Sequence, residues 1–138
     1  MKTAVSVNIE SYSEDQRVQQ QVDGDLYQKG DHYYLRYEES DPEMSGTMTT
    51  IKLERERIRL LRSGNVRSEL TFVQGQSCRG VYEMPQGTLQ MHTLTNSLIM
   101  ELTGGLGTVD WSYDLYVLGE KSGSFRLKVT ISTRQQPQ

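Results

Sequence analysis

Strict alternation of apolar and polar residues runs through this chain, most plainly in Phe125-Arg126-Leu127-Lys128-Val129-Thr130-Ile131. Side chains on an extended strand point to opposite faces with a period of two, so Phe125, Leu127, Val129 and Ile131 share one face while the other is wet. About eleven such tracts succeed one another and leave little room for a long helix. A sheet of this kind must close on itself or fold over, because an open apolar edge would pair with another chain.

The first tract alternates Val5, Val7 and Ile9 with Ser6, Asn8 and Glu10. Residues 11–16 turn the chain into a long polar tract carrying Val18, Val22, Leu26 and Tyr27, and Gly24 within it predicts a bulge or a bend. Lys29-Gly30-Asp31-His32 predicts a hairpin into residues 33–39, with Tyr33, Leu35 and Tyr37 on one face. Residues 40–46 read as a loop around Asp41-Pro42, and residues 47–54 as a strand rich in threonine. Residues 54–61 contain good helix formers, but Ile58, Leu60 and Arg62 alternate and Ser63-Gly64-Asn65 signals a tight turn, which favours a strand.

Further strands are expected at 66–72, 78–83, 88–95, 98–102 and 111–117, separated by Gln74-Gly75-Gln76, Met84-Pro85-Gln86-Gly87 and the glycine-rich 104–107. Residues 134–138 read as a frayed polar tail. Sequential hairpins of this spacing predict an all-β fold: a single antiparallel, calycin-like (lipocalin-like) β-barrel of about 8–10 strands.

A chain of 138 residues fits one domain, spanning 1–138, and buries a sizeable core without metal or disulfide staples. Cys78 is the single cysteine, so no internal disulfide forms, in keeping with a reducing compartment. The first residues lack the apolar segment of a secretory signal, and no run approaches the roughly 20 apolar residues of a membrane helix. A cytoplasmic location is expected. The net charge of −3 argues against a general nucleic-acid binder. Charge is nonetheless segregated: Lys52, Arg55, Arg57, Arg59, Arg62 and Arg67 outweigh Glu54 and Glu56, while Asp31, Glu38, Glu39, Asp41 and Glu43 outweigh Arg36. Solvated strand faces account for both regions.

Catalytic signatures are wanting. His32 and His92 stand in no motif, one cysteine and two distant histidines do not make a zinc site, and the glycine-rich segments lack phosphate-loop spacing. No catalytic residue, metal or cofactor is predicted. Arg62, which follows Ile58 and Leu60, and Glu39, which follows Tyr33, Leu35 and Tyr37, are charges on otherwise apolar faces. Such groups are costly to bury unless paired, so they belong at a barrel rim, in an internal pair, or beside a polar ligand. Tyr33, Tyr37, Tyr82 and Tyr113 combine apolar rings with hydroxyls that a ligand can use, and also suit ordinary core packing. Tyr34 and Tyr116 fall on the wet face, where they would suit a subunit contact.

The run 24–39, then Thr49-Thr50-Ile51-Lys52, Arg62-Ser63-Gly64 with Val66 and Phe72, and later Tyr82, Gly87, Thr95 and Tyr113-Asp114-Leu115-Tyr116, resembles the YwiB-like family of small bacterial proteins over nearly the whole chain. The resemblance implies a calycin-like barrel and supplies no activity and no site residues. The leading expectation is a non-enzymatic binder of a small amphipathic or apolar ligand, contacted by Tyr33, Tyr37, Glu39, Arg62, Tyr82 and Tyr113. The alternatives are a homodimeric or protein-interaction module with a filled barrel, and an enzyme whose rim site would draw on Cys78, His92 and Glu39. Neither nucleic acid nor membrane is expected as a partner.

Overall fold

The computed structural model describes residues 2–39, 46–64 and 66–134. They form ten strands: β1 (Lys2–Ser13), β2 (Gln16–Lys29), β3 (His32–Glu38), β4 (Met48–Leu53), β5 (Ile58–Ser63), β6 (Arg67–Phe72), β7 (Ser77–Met84), β8 (Gly87–Thr103), β9 (Leu106–Val117) and β10 (Glu120–Thr133). Each pairs antiparallel with its sequence neighbours, and β1 pairs with β10 from Val5↔Thr133 to Ser13↔Phe125, closing the barrel. The predicted loop at 40–46 falls almost wholly outside the described residues, as do 135–138 of the predicted tail. Arg134 is held: its Nη2 donates to the Gly24 carbonyl at 3.1 Å and its Nε lies 3.6 Å from Asp23 Oδ1.

Two of the expected tracts are one strand. β8 runs unbroken for 17 residues through both 88–95 and 98–102. Its partners on β9 pass from Thr95↔Tyr113 to Ser97↔Ser112, so Asn96 is an extra residue in the ladder. That bulge shifts the inward phase by one, from Met91, Thr93 and Thr95 to Leu98, Met100 and Leu102. Residues 54–57 are likewise not strand. Glu54 N donates to Arg57 O at 2.9 Å and the two side chains pair, making a short connection before β5 begins at Ile58. At Gly24 the expected bulge is absent, since β2 passes through it in unbroken register with Val5 and Tyr37. The reason for glycine there is room: a Cβ would stand 3.0 Å from the Arg36 carbonyl oxygen and 3.2 Å from Val7.

The barrel is unequal along its axis. β7 meets β6 only at Arg67↔Glu83, Ser68↔Tyr82 and Glu69↔Val81, and begins opposite Leu94 of β8. Beyond that level the end of β6 and the segment after it bond directly to β8, with Thr93 Oγ1 donating to Thr71 O at 2.6 Å and Gly75 N donating to Thr95 O at 2.8 Å. Ten strands therefore surround one end while β7 drops out of the wall towards the other. The narrow end is filled by Val5, Val7, Leu26, Leu35, Ile51, Leu53, Ile58, Val109 and Ile131, all buried. The β8–β9 turn folds against it at Gly105, whose φ of +82 suits glycine and whose Cβ would lie 2.7 Å from Leu26 and Tyr33 atoms. At the wide end the inward faces of the strands instead enclose a cavity.

Candidate functional site

Inward-facing polar residues form one continuous row at the wide end. The ladder runs Tyr37↔Thr49, Thr49↔Arg62, Arg62↔Ser68 and Ser68↔Tyr82, crossing β3, β4, β5, β6 and β7 in turn. Residues directly opposed on neighbouring strands project to the same face, so these five side chains make an arc on the inner wall. The facing wall, from β8, β9 and β10, is apolar: Met91, Leu115, Phe125 and Leu127, with Tyr113 between them. Arg62, Ser68 and Tyr82 from the arc and these residues from the facing wall line a cavity of about 360 Å³, with Ser11, Tyr12 and Arg126 at its mouth. Its size falls within the range that accommodates small ligands.

The floor is aromatic. Phe72, fully buried, meets the Tyr113 ring at 4.6 Å between centroids and the Trp111 ring at 5.5 Å, both tilted, and Tyr113 stacks on Phe125 at 5.6 Å. Tilted and offset contacts of this kind set the positive edge of one ring against the negative face of another, which fixes the rings as a rigid platform.

The electrostatics centre on Arg62. Glu39 follows β3 directly and is anchored by its backbone N–H, which donates to Thr47 O at 2.9 Å. Thr49 Oγ1 donates to Glu39 Oε1 at 2.6 Å, and Arg62 Nε lies 3.6 Å from the same oxygen. The Glu39 side chain is only 2% exposed, whereas that of Arg62 is 32% exposed and reaches the cavity. Arg62 Nε is nevertheless buried without a hydrogen-bond partner among the described residues. Burial pushes the Tyr113 hydroxyl up to about 12, with the positive charge of Arg62 pulling the other way. The Tyr37 hydroxyl is also raised, first by burial and then by Glu39, against the opposing effects of Arg62 and its hydrogen bond with Thr49. Both tyrosines are thus protonated donors near neutral pH.

Of the six residues expected from sequence to contact a ligand, Arg62, Tyr82 and Tyr113 line this cavity. Tyr37 and Glu39 lie behind it, supporting Arg62. Tyr33 is at the opposite, narrow end, where it borders a shallower recess of about 460 Å³ with Asp31, Leu53, Glu54, Arg55, Met100 and Leu102. Ser68 was legible as a polar residue in phase with Leu70 and Phe72, and Met91, Leu115, Phe125 and Leu127 as members of apolar faces. Alternation alone did not say that they meet.

The reactive residues are not assembled. Cys78 opposes Thr93 and Arg79 opposes His92, so Cys78 and His92 project from opposite faces of the sheet. On the outside, His92 stacks on Tyr116 with centroids 4.7 Å apart, and Lys52 lies over the Tyr34 ring at 5.5 Å. His32 lies 3.9 Å from Glu54 at the narrow end. Among the described residues no group of three or more His, Cys, Asp or Glu side chains is placed to hold a metal ion.

The similarities to known proteins agree with this architecture. The chain is 27% identical over 133 residues to the uncharacterised β-barrel protein YwiB of Bacillus subtilis (strain 168), an alignment covering 94% of this chain and 93% of that protein. The crystal structure of ywiB protein from Bacillus subtilis superimposes with a TM-score of 0.80 at 22% identity, covering 97% of this chain and 94% of that one, which shows the shared fold. Residues 4–129 match the family model described as Domain of unknown function (DUF1934), and the chain belongs to that family.

Proposed function

We propose that this protein is a cytoplasmic binder of a small amphipathic molecule, held at the wide end of the barrel. The observation that carries the reading is the two-sided cavity, with a hydrogen-bonding arc of Arg62, Ser68 and Tyr82 facing an apolar wall of Met91, Leu115, Phe125 and Leu127. An apolar enclosure with a few convergent polar groups is the general form of a small-molecule site. What sets this space apart is its lining by the inward faces of β5 to β10, where a filled interior would be packed to the density of organic crystals. The polar arc and the aromatic floor fix both ends of a ligand.

Native mass spectrometry of protein purified gently from its own host, followed by solvent extraction, tests the reading. A stoichiometric small molecule that is lost from a Leu115→Trp variant, whose bulk fills the cavity, is the expected result. Ligand-free protein together with a cavity that takes up no amphiphile in titration would overturn it.

A further inference from the structure

We infer that the cavity selects its amphiphile by a singly negatively charged head group, a carboxylate or a monoanionic ester, seated on Arg62. This rests on the binding reading above and specifies its ligand chemistry. Two arginines reach the cavity, and only one is committed elsewhere. Arg126 makes a two-pronged pair with Asp110 at 3.0 and 2.7 Å, a geometry that satisfies both charges. Among the described residues Arg62 has no such partner. Glu39 stands 3.6 Å from its Nε, beyond hydrogen-bonding distance, and already accepts a hydrogen bond from Thr49.

The pair is also one-sided towards the cavity. The Glu39 side chain is almost fully buried and is absent from the cavity lining, whereas Arg62 is part of that lining. Among the described lining residues there is no carboxylate. A ligand entering therefore meets guanidinium N–H groups with the hydroxyls of Tyr113, Tyr82 and Ser68 close to the same level of the barrel, all able to donate. The polar end that fits must accept hydrogen bonds, and a planar anion can take two from the guanidinium fork. Glu39 limits the charge: it offsets part of Arg62, so one negative charge is matched and two would be opposed. Its buried carboxylate also holds Arg62 at the inner wall rather than letting the long side chain swing into water.

The test compares three eight-carbon probes, octanoate, octanol and octylammonium, by titration of backbone amide signals in the full chain, octanoate having the shortest alkyl tail of the three. The expected result is perturbation centred on Arg62, Ser68, Tyr82 and Leu115, with octanoate binding at least ~10-fold more tightly than octanol and octylammonium weakest, as a charge-assisted hydrogen bond predicts. Arg62→Gln should bring octanoate to the level of octanol without weakening octanol. If that variant is poorly folded, Glu39→Gln combined with Arg62→Gln removes both charges together and serves the same purpose. Equal affinity for octanoate and octanol at the same amides would leave a binding cavity but overturn the anion selectivity, as would a preference for octylammonium. No perturbation by any of the three would overturn the cavity reading itself. The wild-type ranking decides the matter even where the variants do not fold.

Discussion

Thr49 and Arg62 face each other directly across the β4–β5 ladder and address the same oxygen of Glu39, Thr49 at 2.6 Å and Arg62 at 3.6 Å. The shorter contact is the hydrogen bond and the longer one the ion pair, so the carboxylate is oriented by the threonine and neutralised by the arginine. Removing either partner alone leaves a buried charge poorly satisfied. Thr49→Val is expected to cost about 1–3 kcal/mol, because a buried acceptor loses its donor. Arg62→Met is expected to cost a similar amount, about 1–3 kcal/mol, lessened by the partial exposure of Arg62. Adding Glu39→Gln to Arg62→Met should recover most of that loss. Urea unfolding of the single and double variants measures the coupling, and strictly additive losses would show that the pair is not one unit.

At the narrow end, Glu54 is held by Arg57 Nε at 2.5 Å and Nη2 at 3.0 Å, with Lys52 Nζ at 3.5 Å. The hydrogen bond from Arg57 lowers its carboxyl to about 2 from an ordinary 4.5, against a smaller opposing effect of burial. A lowered folded-state value stabilises the fold above the unfolded pKa, and that stabilisation is lost as pH falls from 4.5 through 2. Arg57 is half-exposed, so solvent screening reduces the contribution to about 1 kcal/mol or less. Glu54→Gln should therefore lower stability at neutral pH by that amount and flatten the loss below pH 4.5. Denaturation curves at several pH values distinguish this from a general acid effect, which would leave the wild-type and variant curves parallel.

Alternation predicted which side chains share a face, and there it was dependable: Phe125, Leu127, Val129 and Ile131 all face inward, and Arg62 and Glu39 are charges on the core side. What it lacks is height along the barrel. Tyr33 and Tyr37 have the same phase but stand four residues apart, roughly 13 Å along a strand, so one borders the narrow end and the other supports the wide one. The merging of two tracts into β8 was written in the sequence as a slip of phase between Thr95 and Leu98. A slip of one residue can mark either a turn or a bulge, and only the pairing with β9 decides between them. The departure of β7 from the wall depends on where its neighbour β6 turns aside, a contact between segments that no local pattern encodes.

In the β9–β10 turn, Leu118 adopts φ of +52, the only positive value for a non-glycine residue among the described ones, and its side chain is 74% exposed. A branched side chain pays a steric penalty in the left-handed region, and Leu118 gains little burial in return. Gly119 follows with φ of +83, so the pair has the backbone of a tight hairpin turn that favours Asn-Gly. Leu118→Asn is expected to raise stability by roughly 0.5–1 kcal/mol and to leave binding in the cavity unchanged. A shift of the urea midpoint to lower concentration would show that Leu118 makes a stabilising contact.

Phe72 joins the core to the cavity, being fully buried and in contact with both Trp111 and Tyr113. Shortening it should couple stability to ligand length. Phe72→Ala is expected to cost about 3–5 kcal/mol, the loss of a large buried ring plus the cavity it leaves, and Phe72→Leu substantially less. Either change deepens the floor, so a longer tail gains apolar contact that an eight-carbon tail cannot reach. At roughly 0.8 kcal/mol per buried methylene, decanoate should gain on octanoate by about tenfold or more in Phe72→Leu relative to wild type, if both added carbons are enclosed. Calorimetric titration of the two acids against both proteins measures this ratio. An unchanged ratio would place the tail elsewhere than above Phe72, along the Leu127 wall towards the mouth, and would separate the position of the tail from that of the head group on Arg62.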